Sequence, residues 1–115
     1  MNYEEKCLAL DKELAELLGW AATPYHDRDD PNKPMYKVPG NLVYQVPCWT
    51  LDDAEAFRLM VEHNIELDIL DTFISYFLSG QKYYVEDFPS KIAAVRYAIV
   101  QATINKLSQS DNSDK

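Results

Sequence analysis

Two spacings of apolar residues divide the chain. Over the first eighteen or so residues they recur every three to four positions: Cys7, Leu10, Leu14, Leu17 and Leu18 form a helical stripe from about Tyr3 to Leu18. Asn2 followed by Glu5 has the spacing of a capping box at its start. Gly19 closes it, because glycine takes the left-handed conformation of a helix end, and Trp20 then folds back under the last turn. A second helix is predicted from Thr50, with Asp53 at the matching box position and Asp52 and Asp53 in the first turn. Leu51, Ala54, Phe57, Met60 and Val61 form its apolar face, and His63 and Asn64 end it. Trp49, just ahead of the Thr50 cap, reads as a staple or core residue. From Ile65 the period changes to two, with Ile65, Leu67 and Ile69 facing one way and Glu66 and Asp68 the other. Strands are expected over Ile65 to Leu70, Phe73 to Leu78 and Tyr83 to Glu86, joined by links so short that they must be antiparallel. Phe73 to Leu78, apolar on both faces apart from Ser75, reads as the most buried.

The last helical run, from Pro89 to Leu107, has the broadest apolar surface. At 100° per residue, Ala102, Val95, Ile99, Ile92, Leu107, Val100, Ala93, Ile104 and Tyr97 occupy an arc of roughly 220°. Such a helix must be covered from more than one direction. Lys91, Ala94, Ala98, Gln101, Asn105 and Ser108 fill the other side, while Arg96 falls inside the arc. A guanidinium keeps its charge at accessible pH, so its burial requires a carboxylate or several carbonyls. Glu66 and Asp68 are candidate partners, as are Asp11 and Glu13.

Residues 21–41 read as an irregular loop or an edge hairpin in which Met35 to Val38 and Leu42 to Val46 flank Pro39, Gly40 and Asn41. The polar stretch 108–115 lacks periodicity and is expected to be a disordered tail. Residues 1–107 are expected to form one α+β domain, an antiparallel sheet of about three to four strands packed with three helices in a layered sandwich, in the order α-(β)-α-β-β-β-α.

The formal net charge of −8 and pI near 4.6 argue against direct nucleic-acid binding, which draws affinity from Lys and Arg on phosphates. No apolar run is long enough to span a bilayer, and Glu4 and Glu5 stand where a signal peptide would be basic, so neither secretion by that route nor membrane embedding is expected. Cys7 and Cys48 form no CxxC pair and no disulfide framework, which points to a reduced, cytoplasmic protein in which each packs as a small hydrophobe. His26 to Asp30 invites a metal reading, but an EF-hand loop opening at Asp27 would need glycine and glutamate where Asn32 and Val38 stand. A solvated loop is the better reading. No phosphate loop, GxSxG, HExxH or paired Cys and His spacing is present. Neither cofactor nor metal is expected, no catalytic residue is assigned, and the chain leans away from being an enzyme.

Leu10 to Trp20 (LDKELAELLGW), Trp49 to Ala54 (WTLDDA), a short antiparallel meander and Ala93 to Ile99 (AAVRYAI) follow one another in an order that resembles the phage ABA sandwich domain family, found in phages, prophages and their hosts. Gly19 and Trp20 match the family's first motif, Trp49, Thr50 and Asp52 its second, and Arg96 the arginine of its third; Val95 and Tyr97 depart from it. The resemblance implies helices layered against an antiparallel sheet and implies no reaction. The expected role is a non-enzymatic phage or prophage accessory protein whose partner is a protein, working through an acidic and aromatic surface in the host cytoplasm. Two alternatives stand beside it: a small-ligand domain with an anion site at Arg96, and a structural homo-oligomer. Arg96, Glu66, Asp68, Trp20 and Trp49 are the residues on which a site would be built.

Overall fold

The Asn2 side chain accepts a hydrogen bond from the Glu5 amide at 2.8 Å and so opens the first helix, α1 (Tyr3–Leu17). At its end Gly19 has φ of 83°, and the Trp20 amide donates to the Ala15 carbonyl at 2.9 Å. The computed structural model describes residues 2–40 and 43–113. After α1 come β1 (Ala21–His26), β2 (Pro34–Lys37), β3 (Tyr44–Gln45), α2 (Asp53–Glu62), β4 (Leu67–Ile69), β5 (Phe73–Tyr76) and β6 (Gln81–Tyr84). A 3-10 turn at Val85–Asp87 then leads to α3 (Lys91–Ser113).

The class is α+β, with three helices in the expected order, but the strands form two sheets of three where one sheet was expected. Both are antiparallel, ordered β1-β2-β3 and β4-β5-β6. The hairpin of β2 and β3 stands where predicted, with Tyr36 opposite Gln45 and Lys37 opposite Tyr44; Asn41 and Leu42, named in that reading, lie outside the described residues. β1 was not expected. Nearly all its positions are exposed, so it carries no alternation to read, and Pro24 is tolerated because β1 is an edge strand. The Thr23 hydroxyl, donating to the Met35 carbonyl at 2.7 Å, helps hold it to β2.

α3 occupies the middle of the molecule. On one side Ile99, Val100 and Ile104 meet Leu10, Leu14, Leu59, Tyr36 and Trp49. On the other, Ala94 and Ala98 meet Ile74 and Tyr83, and Ala102 meets Ile65 and Tyr76. The helix is thus covered from more than one direction, but its wheel needs two corrections. Ile92, placed in the apolar arc, is 58% exposed, whereas Ala94 and Ala98, placed on the other side, are fully buried. Alanine lets the second sheet approach the helix closely, so the buried surface extends beyond the predicted arc. Tyr97 packs among Tyr3, Tyr83 and Phe88, with ring centroids 5.2–6.4 Å apart.

Several boundaries also move. Ser90, not Pro89, starts α3: its hydroxyl oxygen accepts from the Ala93 amide at 3.1 Å. The helix continues to Ser113, past its expected end at Leu107, so residues 108–113 are helical and not the expected tail; Asp114 and Lys115 lie outside the described residues. β5 ends at Tyr76, so Phe77 and Leu78 stand exposed in the following turn. β4 spans only Leu67–Ile69, because Asn64, at φ of 53°, and the Ile65 amide bonding to Met60 still belong to the end of α2.

Candidate functional site

Thr50 is the expected cap of α2, but the cap is Asp52, whose carboxylate accepts from the Glu55 amide at 3.0 Å. Thr50 is instead fully buried and turned towards α1. Its amide and hydroxyl donate to the two carboxylate oxygens of Asp11, at 3.1 and 2.7 Å. Its carbonyl accepts from Nε of Arg96 at 2.8 Å, while Nη1 of the same guanidinium meets Asp53 at 2.6 Å. A polar chain thus runs Asp11, Thr50, Arg96, Asp53 and ties α1, the lead into α2, and α3 together. Each link polarises the next.

This corrects the expected partners of Arg96. Glu66 and Asp68 are exposed on and beside β4, sharing a shallow depression with Leu67 and Phe77, and Glu13 is exposed on α1. Asp11 reaches the guanidinium only through Thr50. Burial pushes the Asp11 carboxyl up to about 6, against the two Thr50 hydrogen bonds that pull it down.

Trp49, one residue before Thr50, packs on Trp20 with ring centroids 4.9 Å apart and planes tilted by 53°. Both tryptophans line a groove of about 810 Å³ between the first sheet and α2. Met35 and Tyr44 line its sheet side, while Asp52, Glu55 and Glu62 line its α2 side with Arg58 among them. Arg58 is partly spent on Glu55, 3.5 Å away. Cys48 also lines the groove. Burial raises its thiol pKa, and Asp52, Asp11 and Glu55 raise it further, so the thiol stays protonated and is a poor nucleophile. With three carboxylates against one guanidinium beside the half-buried Trp20, the groove carries net negative charge, which attracts a cation and repels phosphate.

The residues expected to form a site therefore separate. Trp20 and Trp49 come together, Arg96 is committed to Thr50 and Asp53, and Glu66 and Asp68 lie elsewhere. The acidic row was not singled out, although the spacings Asp52 to Glu55 and Glu55 to Glu62, three and seven residues, place all three on one helix face. In the loop after β1, the carboxylates of Asp27 and Asp30 accept from the amides of Asp29 and Asn32, as in Asx turns. Among the described residues no group of three or more metal-ligating side chains assembles, and no helix is long and apolar enough to cross a membrane.

No family model matches the chain, and no curated protein or solved structure matches it either.

Proposed function

We propose that this is a non-enzymatic accessory protein of phage or prophage type, acting in the cytoplasm of a bacterial host by binding a protein that presents positive charge to the groove. The observation that carries the reading is the pairing of Trp20 and Trp49 with the carboxylates of Asp52, Glu55 and Glu62 around one cleft. The half-buried face of Trp20, backed by the buried Trp49, and the carboxylates both favour Lys or Arg, and the net charge of −8 adds attraction at longer range. The setting is drawn from the resemblance to the phage ABA sandwich domain family alone. No reacting group is needed: the one thiol in the groove is held neutral, and the buried Asp11 is occupied by Thr50.

The chain has two tryptophans and both line the groove, so intrinsic fluorescence reports directly on its occupation. Titration with a Lys- and Arg-rich peptide at low salt is expected to give a saturable change that weakens as salt screens the carboxylates. A variant carrying Asp52→Asn, Glu55→Gln and Glu62→Gln is expected to lose it while staying folded, since asparagine caps a helix as well as aspartate. If the peptide leaves the fluorescence unchanged at low salt, the proposal is wrong.

A further inference from the structure

Most of the apolar face assigned to α2 from its sequence points to solvent, Met60 alone being half-buried against the core. Phe57 is 61% and Val61 56% exposed, and Ala54 beside them is exposed as well; the helix turns Ala56 and Leu59 inward instead. Ala54, Phe57 and Val61 are spaced by three and four residues, so they form one ridge, and Leu51, 48% exposed, extends it ahead of the helix. An exposed apolar ridge of this kind is a candidate docking surface.

Its surroundings indicate the kind of partner. Asp52, Glu55 and Glu62 lie on the groove side of the ridge, with Arg58 between them and already paired to Glu55. On the opposite side Asp53 faces Arg96, whose guanidinium it holds. Ridge and acidic row thus run side by side along α2, one apolar and the other negative.

A second copy of this chain is a poor match. Two ridges packed antiparallel would set the acidic start of one α2, with Asp52, Asp53 and Glu55, beside Glu62 of the other. A parallel pair would set like charge against like.

We infer that the partner segment is a basic amphipathic helix, which lays its apolar stripe on the α2 ridge while its Lys and Arg residues reach over the acidic row into the tryptophan-lined groove. This rests on the groove reading above and names the shape of what binds there. Helix-on-helix recognition of this kind is read through residues three and four apart, the spacing the ridge offers.

Two Leu/Lys peptides of identical composition, each of about 18 residues so that a helix can form, test it against the whole protein. One has its leucines in a single helical stripe and the other has them scattered. The striped peptide is expected to bind at least about tenfold more tightly. Phe57→Ser with Val61→Ser is expected to erase that preference while leaving the binding of the scattered peptide intact, with thermal melts confirming the fold. Equal binding of the two peptides, still abolished by neutralising the acidic row, would overturn the amphipathic partner and leave the groove reading standing. Failure of both peptides to bind would overturn the two together. Sedimentation showing a dimer that Phe57→Ser dissociates would assign the ridge to self-association and overturn the inference.

Discussion

Asp11 is 2% exposed, and ionising it inside the protein costs more than in the unfolded chain. Its carboxyl is raised from 3.8 to about 6, so the folded protein holds the proton more tightly than the unfolded one. A raised folded value means that the contribution is fully present below about 3.8 and is lost as pH rises through about 6. At neutral pH the loss is on the order of 2–3 kcal/mol. Asp11→Asn removes the titration while keeping an acceptor for the Thr50 amide. Urea melts of the two proteins should therefore shift in the variant's favour by about that much between pH 4 and pH 7.5; parallel curves would show that Asp11 is better solvated than its position implies. Part of this was legible. Asp11 lies one turn from Cys7 and next to Leu10, inside the stripe that α1 buries. Its partner was not, because Thr50 is 39 residues away and reads locally as a helix cap. Arg96 likewise announced that it needed a partner, but Asp53 reaches it only through the way α2 docks on α3.

At the scale of elements, a pattern of apolar residues tells which positions share a face but not always which face turns inward. α1 was read correctly because capping residues and one dominant stripe agree, and glycine marks the end. The face read for α2, with Leu51, Ala54, Phe57, Met60 and Val61, lies beside a second one with Ala56 and Leu59, and only the neighbouring helix decides between them. The face with Ala56 and Leu59 turns inward, and both join the core with Ile99 and Val100. α3 likewise turns a face against its sheet that its larger side chains do not mark, where Ala94 and Ala98 are buried and Ile92 is not. The packing predicts a contrast opposite to that of the sequence wheel. Ala98→Leu should cost about 1–3 kcal/mol by forcing apart α3 and β5, whereas Ile92→Ala should change stability by no more than about 0.5 kcal/mol. Chemical denaturation of both variants gives the comparison directly, and a costly Ile92→Ala beside a neutral Ala98→Leu would return the helix to the orientation drawn from periodicity.

Over the whole molecule, 19 acidic side chains stand against 11 basic ones, and the three ion pairs among the described residues neutralise few of them. Two of these pairs, Lys91 with Asp71 and Arg58 with Glu55, are largely exposed and contribute little. Repulsion among the excess carboxylates therefore acts against the folded state, in which they are closest together. Salt should relieve it. The Debye length falls from about 30 Å at 0.01 M to about 10 Å at 0.1 M, so screening reaches the spacing between neighbouring surface charges. Thermal melts in rising sodium chloride should then move upward by a few degrees, equivalent to roughly 1 kcal/mol for a domain of this size. The binding of a basic segment at α2 should respond in the opposite sense, because there the same carboxylates attract. One charge excess thus predicts two opposed salt responses, stability rising while affinity falls. A melting temperature that drops with salt would mean that the Arg96 and Asp53 pair, at 2.6 Å and with its guanidinium largely buried, outweighs the repulsion of the remaining surface.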